Sequence, residues 1–509
     1  MKGRAFIVAV VLAAAMTLVG RAQAAEPALL DPNLRLSTVA TNLVLPTSIA
    51  FLGPNDLLVL EKDSGRVLRV TNGIVQGTAL DLSVNNFSER GLLGIALHPN
   101  FPTIPHVYLY WTCRSSTALD ADPFTPEEPE CSDANMAGLP DTGNVLQVPL
   151  LGNRVDRFVW NGSTLTFDRH LITLLAFQND GAPTPPGQGD DATGPHGQQI
   201  ARGNHDGGVL AFGPDRKLYV FVGDVGRRGQ LQNLLFGPTP PTADDQFGGP
   251  APDAAHFTGV VLRLNDDGSV PADNPFVGLG GNLQKIYAYG VRNGFGMAFD
   301  PLSGNLWDQE NGEDAFDELN MIERGMNSGW IQVTGPLARI GEYKQIETTS
   351  LHHDDFPNLQ QFRWGPEKIA DTPQEALSRM FVLPGSRYSD PEFSWKHVLA
   401  PSAIGFVSGR RLGPQFEGDL FVGFSTLDTL GGPLFRFNLT GNRRKIGVDD
   451  RRLEDRVADN LTFHDMTESE SLLIGRDFGI VTDIKTGPNG NLFVVSLSNG
   501  TIYEISGRR

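Results

Sequence analysis

The chain has 509 residues, of which 40% are hydrophobic and 20% are charged, and it contains 58 Gly and 35 Pro. This composition is that of a globular protein rich in turns, long enough for one large or two ordinary domains. Its formal net charge of −18 argues against nucleic acid or an anionic membrane surface as a partner.

The N-terminus has the features of a secretory signal peptide. Lys2 and Arg4 precede an apolar run over residues 5–19, and Ala22-Gln23-Ala24 forms a small-residue cleavage site. We therefore predict a signal peptide over residues 1–24 and an exported protein, periplasmic or extracellular. An uncleaved anchor is the alternative, but the apolar run is short and no later segment reaches membrane-spanning length, so stable membrane insertion is not expected.

A pattern of apolar strand, turn and second apolar strand recurs along the chain. Six such units pair residues 49–51 with 57–60, 95–97 with 107–111, 209–212 with 218–222, 297–299 with 305–307, 404–406 with 420–422, and 484–486 with 492–495. Short strands and turns in a recurring motif predict an all-β fold, namely a six-bladed β-propeller. The extended segment 34–45 is predicted to pair with the last unit and to close the ring.

Helices are expected to be few. Residues 314–324 and 373–380 are the best short helical candidates. Long insertions at residues 115–144, 178–202, 238–256 and 335–383 are rich in Gly, Pro, Asp and Thr and are predicted to be loops. No linker marks an internal boundary, so residues 25–509 are predicted to form a single propeller domain.

The chain has two cysteines, Cys113 and Cys131, which flank the first of these insertions. In an exported protein they predict a disulfide that closes the loop, with a stabilisation of about 3 kcal/mol. They make a poor zinc site because no histidine lies near them.

The stretch from Asn204 to Asp224 contains a histidine, a Gly-Pro-Asp turn and a buried strand that ends in Gly-Asp. Because the turn folds the chain back on itself, His205 and Asp224 are predicted to lie near each other at one edge of a sheet. An imidazole held by a carboxylate is a common general base, and a structural hydrogen bond is the alternative for such a pair.

A second polar stretch runs from Tyr289 to Trp330. Arg292-Asn293 places a planar cation beside an amide, which suits a carboxylate or carbonyl ligand. The acidic residues around Gly312 form a tight turn that could bind Ca²⁺ through oxygen ligands, or could be a solvated acidic loop.

Four parts of the chain stand in a recognisable order: Glu89-Arg90-Gly91-Leu92-Leu93-Gly94 with His98-Pro99-Asn100-Phe101, residues 204–224, Arg292-Asn293, and residues 310–330. Together they resemble the motifs of the soluble glucose/sorbosone dehydrogenase family. Members of that family are quinoproteins that use pyrroloquinoline quinone (PQQ) and Ca²⁺ on a six-bladed propeller. The resemblance covers most of the mature chain, and it implies oxidation of a sugar or another alcohol with electrons passed to an external acceptor.

The resemblance also implies a role for individual residues. His205 matches the family's base, which takes the hydroxyl proton while hydride passes to the quinone, and Asp224 matches the acid that orients it. Arg292 and Asn293 match the pair that contacts the quinone, and Gly312 and Glu313 match the positions whose main-chain carbonyls bind calcium. Glu89, grouped with the cofactor-binding residues, stands where glucose-oxidising members have a glutamine near the sugar.

Three positions depart from the family pattern. Glu313 stands where proline is usual, and Asp206 adds negative charge beside the histidine. Where glucose-oxidising members carry Arg-x-Arg-Asp, this chain has Ile480-Val481-Thr482-Asp483, which keeps only the aspartate.

Cations are needed because burying the three carboxylates of PQQ without them is costly. The candidates to replace the missing arginines are Lys396, Arg387, Arg227 and Arg228. Two further functions stay open: a propeller that binds a ligand or partner through its loops without redox chemistry, and a Ca²⁺-dependent hydrolase.

Overall fold

The computed structural model describes residues 26–86, 89–113, 152–174, 176, 205–225, 257–349 and 369–508. The predicted signal peptide and the insertions at residues 115–144, 178–202 and 238–256 lie outside these ranges.

Strands form most of the regular structure in the described residues. In chain order they are β1 (Ala28–Leu29), β2 (Leu34–Ala40), β3 (Pro46–Gly53), β4 (Asp56–Glu61), β5 (Arg66–Thr71), β6 (Ile74–Asp81), β7 (Leu92–Leu97), β8 (His106–Thr112), β9 (Asn153–Trp160), β10 (Leu165–Leu174), β11 (Leu210–Phe212), β12 (Leu218–Val222), β13 (Val260–Leu264), β14 (Ile286–Tyr289), β15 (Gly296–Phe299), β16 (Leu306–Glu310), β17 (Ala315–Ile322), β18 (Met326–Asn327), β19 (Arg387–Tyr388), β20 (Phe393–His397), β21 (Pro401–Phe406), β22 (Leu420–Phe424), β23 (Leu434–Thr440), β24 (Lys445–Gly447), β25 (Val457–Ala458), β26 (Leu473–Arg476), β27 (Val481–Thr486), β28 (Leu492–Ser496) and β29 (Thr501–Gly507).

Two α-helices lie in the described residues, α1 (Ile340–Thr349) and α2 (Pro373–Arg379). The predicted helix near residue 373 is confirmed: Pro373 occupies its first turn, and the Thr372 hydroxyl caps it by accepting the Glu375 N–H at 3.2 Å. Neither helix has the length and apolar character needed to cross a membrane. Short 3₁₀ turns cover Val277–Leu279, Leu283–Lys285, Leu337–Arg339, Pro414–Phe416, Arg451–Leu453 and Glu470–Leu472.

The strands group into six sheets, each built on consecutive antiparallel strands. Their orders are β3-β4-β5-β6, β7-β8-β9-β10, β11-β12-β13-β14-β18-β19, β15-β16-β17-β20-β25, β21-β22-β23-β26-β1 with β24 beside β23, and β27-β28-β29-β2. The predicted return of the N-terminal segment is confirmed, since β2 pairs antiparallel with β29 from Leu34↔Gly507 to Ala40↔Ile502.

The inner strands of the six sheets follow one another around a closed circuit. β3 contacts β7, β7 contacts β11, β11 contacts β15, β15 contacts β21, β21 contacts β27, and β27 contacts β3 again. The all-β propeller predicted from the sequence is therefore confirmed. In each sheet, the inner strand starts and the second strand ends at the same edge of the ring. We call this edge the upper rim.

Apolar side chains fill the spaces between neighbouring sheets. Successive residues of a strand point to opposite faces, so on β4 Leu57 and Val59 pack against Val495 of the sixth sheet. Leu58 and Leu60 pack against Ile95 of the second sheet. Burial on both faces explains why these strands are continuous apolar runs rather than alternating ones.

The helix predicted over residues 314–324 is wrong. Residues 315–322 form β17, whose side chains are all buried between β16 and β20. The strand's polar residues misled the prediction, because Asp317, Glu318 and Asn320 carry buried hydrogen bonds rather than a solvated helix face.

The loop predicted over residues 335–383 is also wrong in part, because the described portion of this insertion contains α1 in addition to the predicted helix α2. Ile340, Tyr343 and Ile346 of α1 pack in one apolar cluster with Phe316 and Trp330. This insertion is therefore anchored on the fourth sheet, close to the acidic turn.

Cys113 follows β8 and is fully buried. Cys131 lies outside the described residues, so its pairing with Cys113 stays a prediction.

Candidate functional site

Residues singled out from the sequence meet at one sector of the upper rim. Glu89 precedes β7, His205 precedes β11, and Arg292-Asn293 precedes β15. Asp224 follows β12, and the acidic turn at Gly312 follows β16. In an antiparallel pair the start of one strand lies beside the end of the next, so three adjacent sheets bring these groups together.

The predicted proximity of His205 and Asp224 is confirmed, and the two side chains form a hydrogen-bonded pair. His205 Nδ1 lies 2.6 Å from Asp224 Oδ1, and Trp330 Nε1 donates to Asp224 Oδ2 at 2.8 Å. With the Nδ1 proton donated to Asp224, the Nε2 atom of His205 keeps a lone pair for a reacting hydroxyl. Among the described residues no hydrogen bond engages that Nε2 atom.

Asp224 is held in its ionised form. Burial raises the pKa of this carboxyl, but the His205 charge and hydrogen bond, the nearby Arg292 and the Trp330 N–H together bring it below the ordinary 3.8. A fixed carboxylate selects the imidazole tautomer and stabilises the imidazolium that forms when Nε2 gains a proton.

The backbone of His205 is held by Glu89, which stands at the start of the second sheet. Its φ is +62°, in the left-handed region, and its N–H donates to Glu89 Oε2 at 2.6 Å. The same Glu89 oxygen accepts from Asn293 Nδ2 at 3.3 Å. Gly223 permits the close approach of the chains, because a Cβ there would lie 2.2 Å from the His205 carbonyl oxygen. Glu89 thus links the base to the Arg292-Asn293 segment.

Arg292 lies over the face of Trp330, with Cζ 5.4 Å from the ring centroid. It donates to the Asn311 carbonyl at 2.7 Å and pairs with the Glu313 carboxylate. Its Nε and the Oδ1 atom of Asn293 are buried with no hydrogen-bond partner among the described residues. Such buried polar atoms are costly unless a ligand satisfies them.

The acidic turn is tightly built around Gly312. A Cβ at this position would lie 2.1 Å from the Ala315 carbonyl oxygen, so only glycine fits. The Gly312 N–H donates to Asp317 Oδ1 at 2.9 Å. No group of three or more His, Cys, Asp and Glu side chains within the described ranges is arranged to hold a metal, so a cation at this turn would depend on main-chain carbonyls.

Two of the four cations proposed to replace the missing arginines are engaged elsewhere. Lys396 Nζ lies 3.3 Å from Glu342 on α1, and Arg387 pairs with Glu323 while 61% exposed. Arg227 and Arg228 lie outside the described residues. The retained Asp483 accepts from Ser48 Oγ at 2.6 Å and lies 2.8 Å from Lys485 Nζ, between the sixth and first sheets.

Lys62 is a buried cation that the sequence did not single out. It follows β4 directly, and β4 ends at the upper rim. Its Nζ lies 2.8 Å from Asp63 Oδ1 and 3.1 Å from the Asn86 carbonyl.

Trp330 and Glu347 were likewise missed. Trp330 stands 106 residues after Asp224, and no short motif links the two. Glu347 lies on α1, in an insertion predicted to be a loop, and accepts the N–H groups of Asp314 and Ala315.

Asp206 provides a test of the charge beside the base. Burial raises its pKa to about 6, although the Arg90 charge and the Asn153 hydrogen bond oppose the rise. Because the folded state holds this proton more tightly than the unfolded state does, stability falls as pH rises from about 4 to about 6.

We therefore expect Asp206→Asn to be more stable than the wild type at pH 8 by about 3 kcal/mol, and nearly equal to it below about pH 4. Urea unfolding of both proteins across this pH range measures the difference. A difference that does not change with pH would contradict the buried-carboxyl account.

Comparisons with known proteins converge on one group. Residues 43–123 and 195–358 match the sequence family described as Glucose / Sorbosone dehydrogenase. Quinoprotein glucose dehydrogenase B of Acinetobacter calcoaceticus is 30% identical over 417 residues, which are 77% of this chain and 75% of that protein. Aldose sugar dehydrogenase of Escherichia coli is 28% identical over 312 residues, which are 61% of this chain and 62% of that protein.

A solved structure shares the fold. A Thermus thermophilus oxidoreductase described as a glucose dehydrogenase is 25% identical, has a TM-score of 0.55, and aligns over 93% of this chain and 99% of its own. The second matched family segment, residues 195–358, contains His205, Asp224, Arg292 and the acidic turn.

Proposed function

Because this chain belongs to the glucose/sorbosone dehydrogenase family, we propose that it is an exported quinoprotein that oxidises a sugar or another alcohol. The observation that carries this proposal is the His205–Asp224–Trp330 chain of hydrogen bonds beside the buried Arg292-Asn293 pair. Ionised Asp224 engages one ring nitrogen of His205, and no hydrogen bond in the described part of the chain engages the other, which leaves that nitrogen for a substrate hydroxyl.

The residues at this sector fit PQQ and Ca²⁺. Within the described ranges Arg292 Nε is a donor and Asn293 Oδ1 an acceptor that have no partner; the first suits an anionic group of a ligand, and the second suits an N–H or O–H group. The turn at Gly312 has no room for a side chain, as a cradle of main-chain oxygens requires. Arg292 and Asn293 would hold the quinone, and Gly312 and Glu313 the cation. When bound, the Ca²⁺–PQQ pair would supply the two-electron acceptor.

The chain's own residues would move the proton. His205 Nε2 accepts the proton of the substrate hydroxyl as the carbinol C–H bond breaks with its electron pair and a carbonyl forms. Asp224, kept ionised, stabilises the imidazolium through Nδ1, and the Trp330 N–H holds the second Asp224 oxygen in place. Glu89 keeps the His205 backbone in position by accepting a hydrogen bond from its N–H.

We further infer that the six sheets are six blades, since their inner strands contact one another in a closed circuit. A single domain over residues 25–509 is supported by the pairing of β2 with β29 and of β1 with β26, which joins both ends of the chain into the ring. Export rests on the signal-peptide pattern over residues 1–24.

Reconstitution tests the proposal. Protein recovered from the periplasm or medium is expected to begin at Ala25, to take up PQQ in the presence of Ca²⁺ with a change in quinone absorbance, and to reduce a dye with aldoses. If the reconstituted protein shows neither quinone absorbance nor dye reduction, the quinoprotein assignment is wrong.

The ion pairs of Lys396 with Glu342 and of Arg387 with Glu323 favour one second candidate, a propeller that binds a ligand without redox chemistry. Sugar binding by calorimetry with no PQQ uptake is the outcome that selects this candidate.

A further inference from the structure

We infer that Glu347 on α1 is the positioning residue of the acidic turn, and that it sets the direction of the Glu313 carbonyl. This inference rests on the proposed function, in which that carbonyl is a calcium ligand. It gives the insertion at residues 335–383 a role in cation binding, although its helix touches neither His205 nor Arg292 by any hydrogen bond among the described residues.

The contacts are direct. Glu347 Oε1 accepts the Asp314 N–H at 3.1 Å and the Ala315 N–H at 2.9 Å. The side chain is 1% exposed, and its Oε2 atom has no hydrogen-bond partner in the described part of the chain. Burying a carboxyl costs free energy unless it is hydrogen-bonded, and the two bonds to backbone N–H groups offset that cost.

The bond to the Asp314 N–H also fixes the direction of the preceding carbonyl, that of Glu313. In a trans peptide the N–H of one residue and the C=O of the preceding residue point in opposite directions. Holding the Asp314 N–H toward α1 therefore directs the Glu313 C=O away from α1.

The same turn contains an internal example of this rule. Asp317 holds the Gly312 N–H at 2.9 Å, and the preceding carbonyl, that of Asn311, accepts from Arg292 at 2.7 Å on the site side. The Glu313 side chain also reaches Arg292. By the same geometry, the Glu313 carbonyl is directed away from Glu347, on a residue whose side chain contacts Arg292.

Helix α1 is held against the fourth sheet by its buried face and by a side-chain hydrogen bond. Ile340, Tyr343 and Glu347 share one buried face at helical spacing, and Tyr343 Oη donates to the Ile331 carbonyl at 3.1 Å. Ile331 directly follows Trp330, so one helix braces both the Asp224 partner and the acidic turn.

Two measurements on the purified apoprotein test the inference. Calorimetric titration with Ca²⁺ alone gives the affinity, and hydrogen exchange of the peptide spanning Asp314 and Ala315 reports the two backbone bonds without any metal. We expect Glu347→Ala to speed this exchange and to weaken Ca²⁺ binding by about 10- to 100-fold, the range seen for groups that orient metal ligands.

Three further variants sharpen the test. Glu347→Gln keeps an acceptor oxygen and is expected to retain protection and affinity within a few-fold, whereas Glu347→Asp is too short and should behave like the alanine variant. Glu342→Ala is the matched control, because Glu342 lies on the same helix but pairs outward with Arg339 and Lys396. If the alanine variant fails to fold, the Asp and Gln variants carry the comparison.

The outcomes separate this inference from the proposed function. Loss of affinity in the Gln variant as large as in the Ala variant would overturn the positioning role in favour of a direct charge effect. Wild-type affinity in the Ala and Asp variants would overturn the inference while leaving the proposed function intact. No Ca²⁺ binding by the wild type would instead count against the calcium assignment itself, and the inference would fall with it.

Discussion

Replacing His205 by alanine is expected to lower kcat of the reconstituted enzyme by about 10²- to 10⁴-fold, the usual contribution of a general base. Nε2 of this ring is the atom left to take the hydroxyl proton, since Nδ1 is 2.6 Å from Asp224. Quinone uptake should change little, because the cofactor contacts are assigned to Arg292 and Asn293. Dye reduction under saturating sugar measures kcat, and quinone absorbance measures uptake.

His98→Ala is the matched control. His98 follows β7 at the rim opposite the site, where its Nε2 lies 3.7 Å from Asp266, and its loss should leave kcat unchanged. Added imidazole is expected to restore part of the activity of the His205 variant by occupying the vacated space. If the His205 variant keeps its kcat within tenfold while binding quinone, another group is the base.

The architecture could be predicted because its signals are local. Each sheet begins with an apolar strand, a turn and a second apolar strand, and these units are visible in short windows such as residues 209–222. The closing strand was also predictable, since an extended N-terminal segment has to cover the exposed edge of the last sheet. The pairing of His205 with Asp224 belongs to the same class, because a single hairpin brings them together.

The errors occur where tertiary packing overrides local pattern. Residues 315–322 have helix-like composition, yet β16 and β20 enclose them and impose a strand. Helix α1 was overlooked inside a long insertion, and its buried face includes the acidic Glu347, which a hydrophobic pattern would not mark.

Long-range contacts account for the rest. Trp330 holds Asp224 across 106 residues, and Glu89 holds His205 across 116 residues. No spacing rule connects such positions. The same limitation explains why Lys396 and Arg387 are plausible replacements for the missing cations from the sequence, whereas in the fold both pair with carboxylates of the chain itself.

Replacing Arg292 by alanine is expected to weaken PQQ binding by about 100-fold or more, which corresponds to about 3 kcal/mol and lies within the cost of truncating one member of a buried charge pair. Arg292 is 6% exposed and holds both the Asn311 carbonyl and the Glu313 carboxylate. Its removal takes the guanidinium partner away from the Glu313 carboxylate and would also take it away from a carboxylate of the quinone. Absorbance titration with PQQ at fixed Ca²⁺ measures the affinity.

A loss of general stability could imitate this result, so a second buried arginine serves as the control. Arg263 is 5% exposed and pairs with Asp215 and Asp273 at the opposite rim. Arg263→Ala should lower the free energy of unfolding in urea to a similar degree, yet leave PQQ affinity near the wild-type value.

Arg292→Lys completes the series. The lysine keeps the positive charge but cannot reproduce the planar fork that reaches Asn311 and Glu313 at once, so its affinity should fall between those of the wild type and the alanine variant. Equal affinity in the Arg292 and Arg263 alanine variants would show that the quinone is held by cations elsewhere on the upper rim. The buried Lys62 is the first such cation to test.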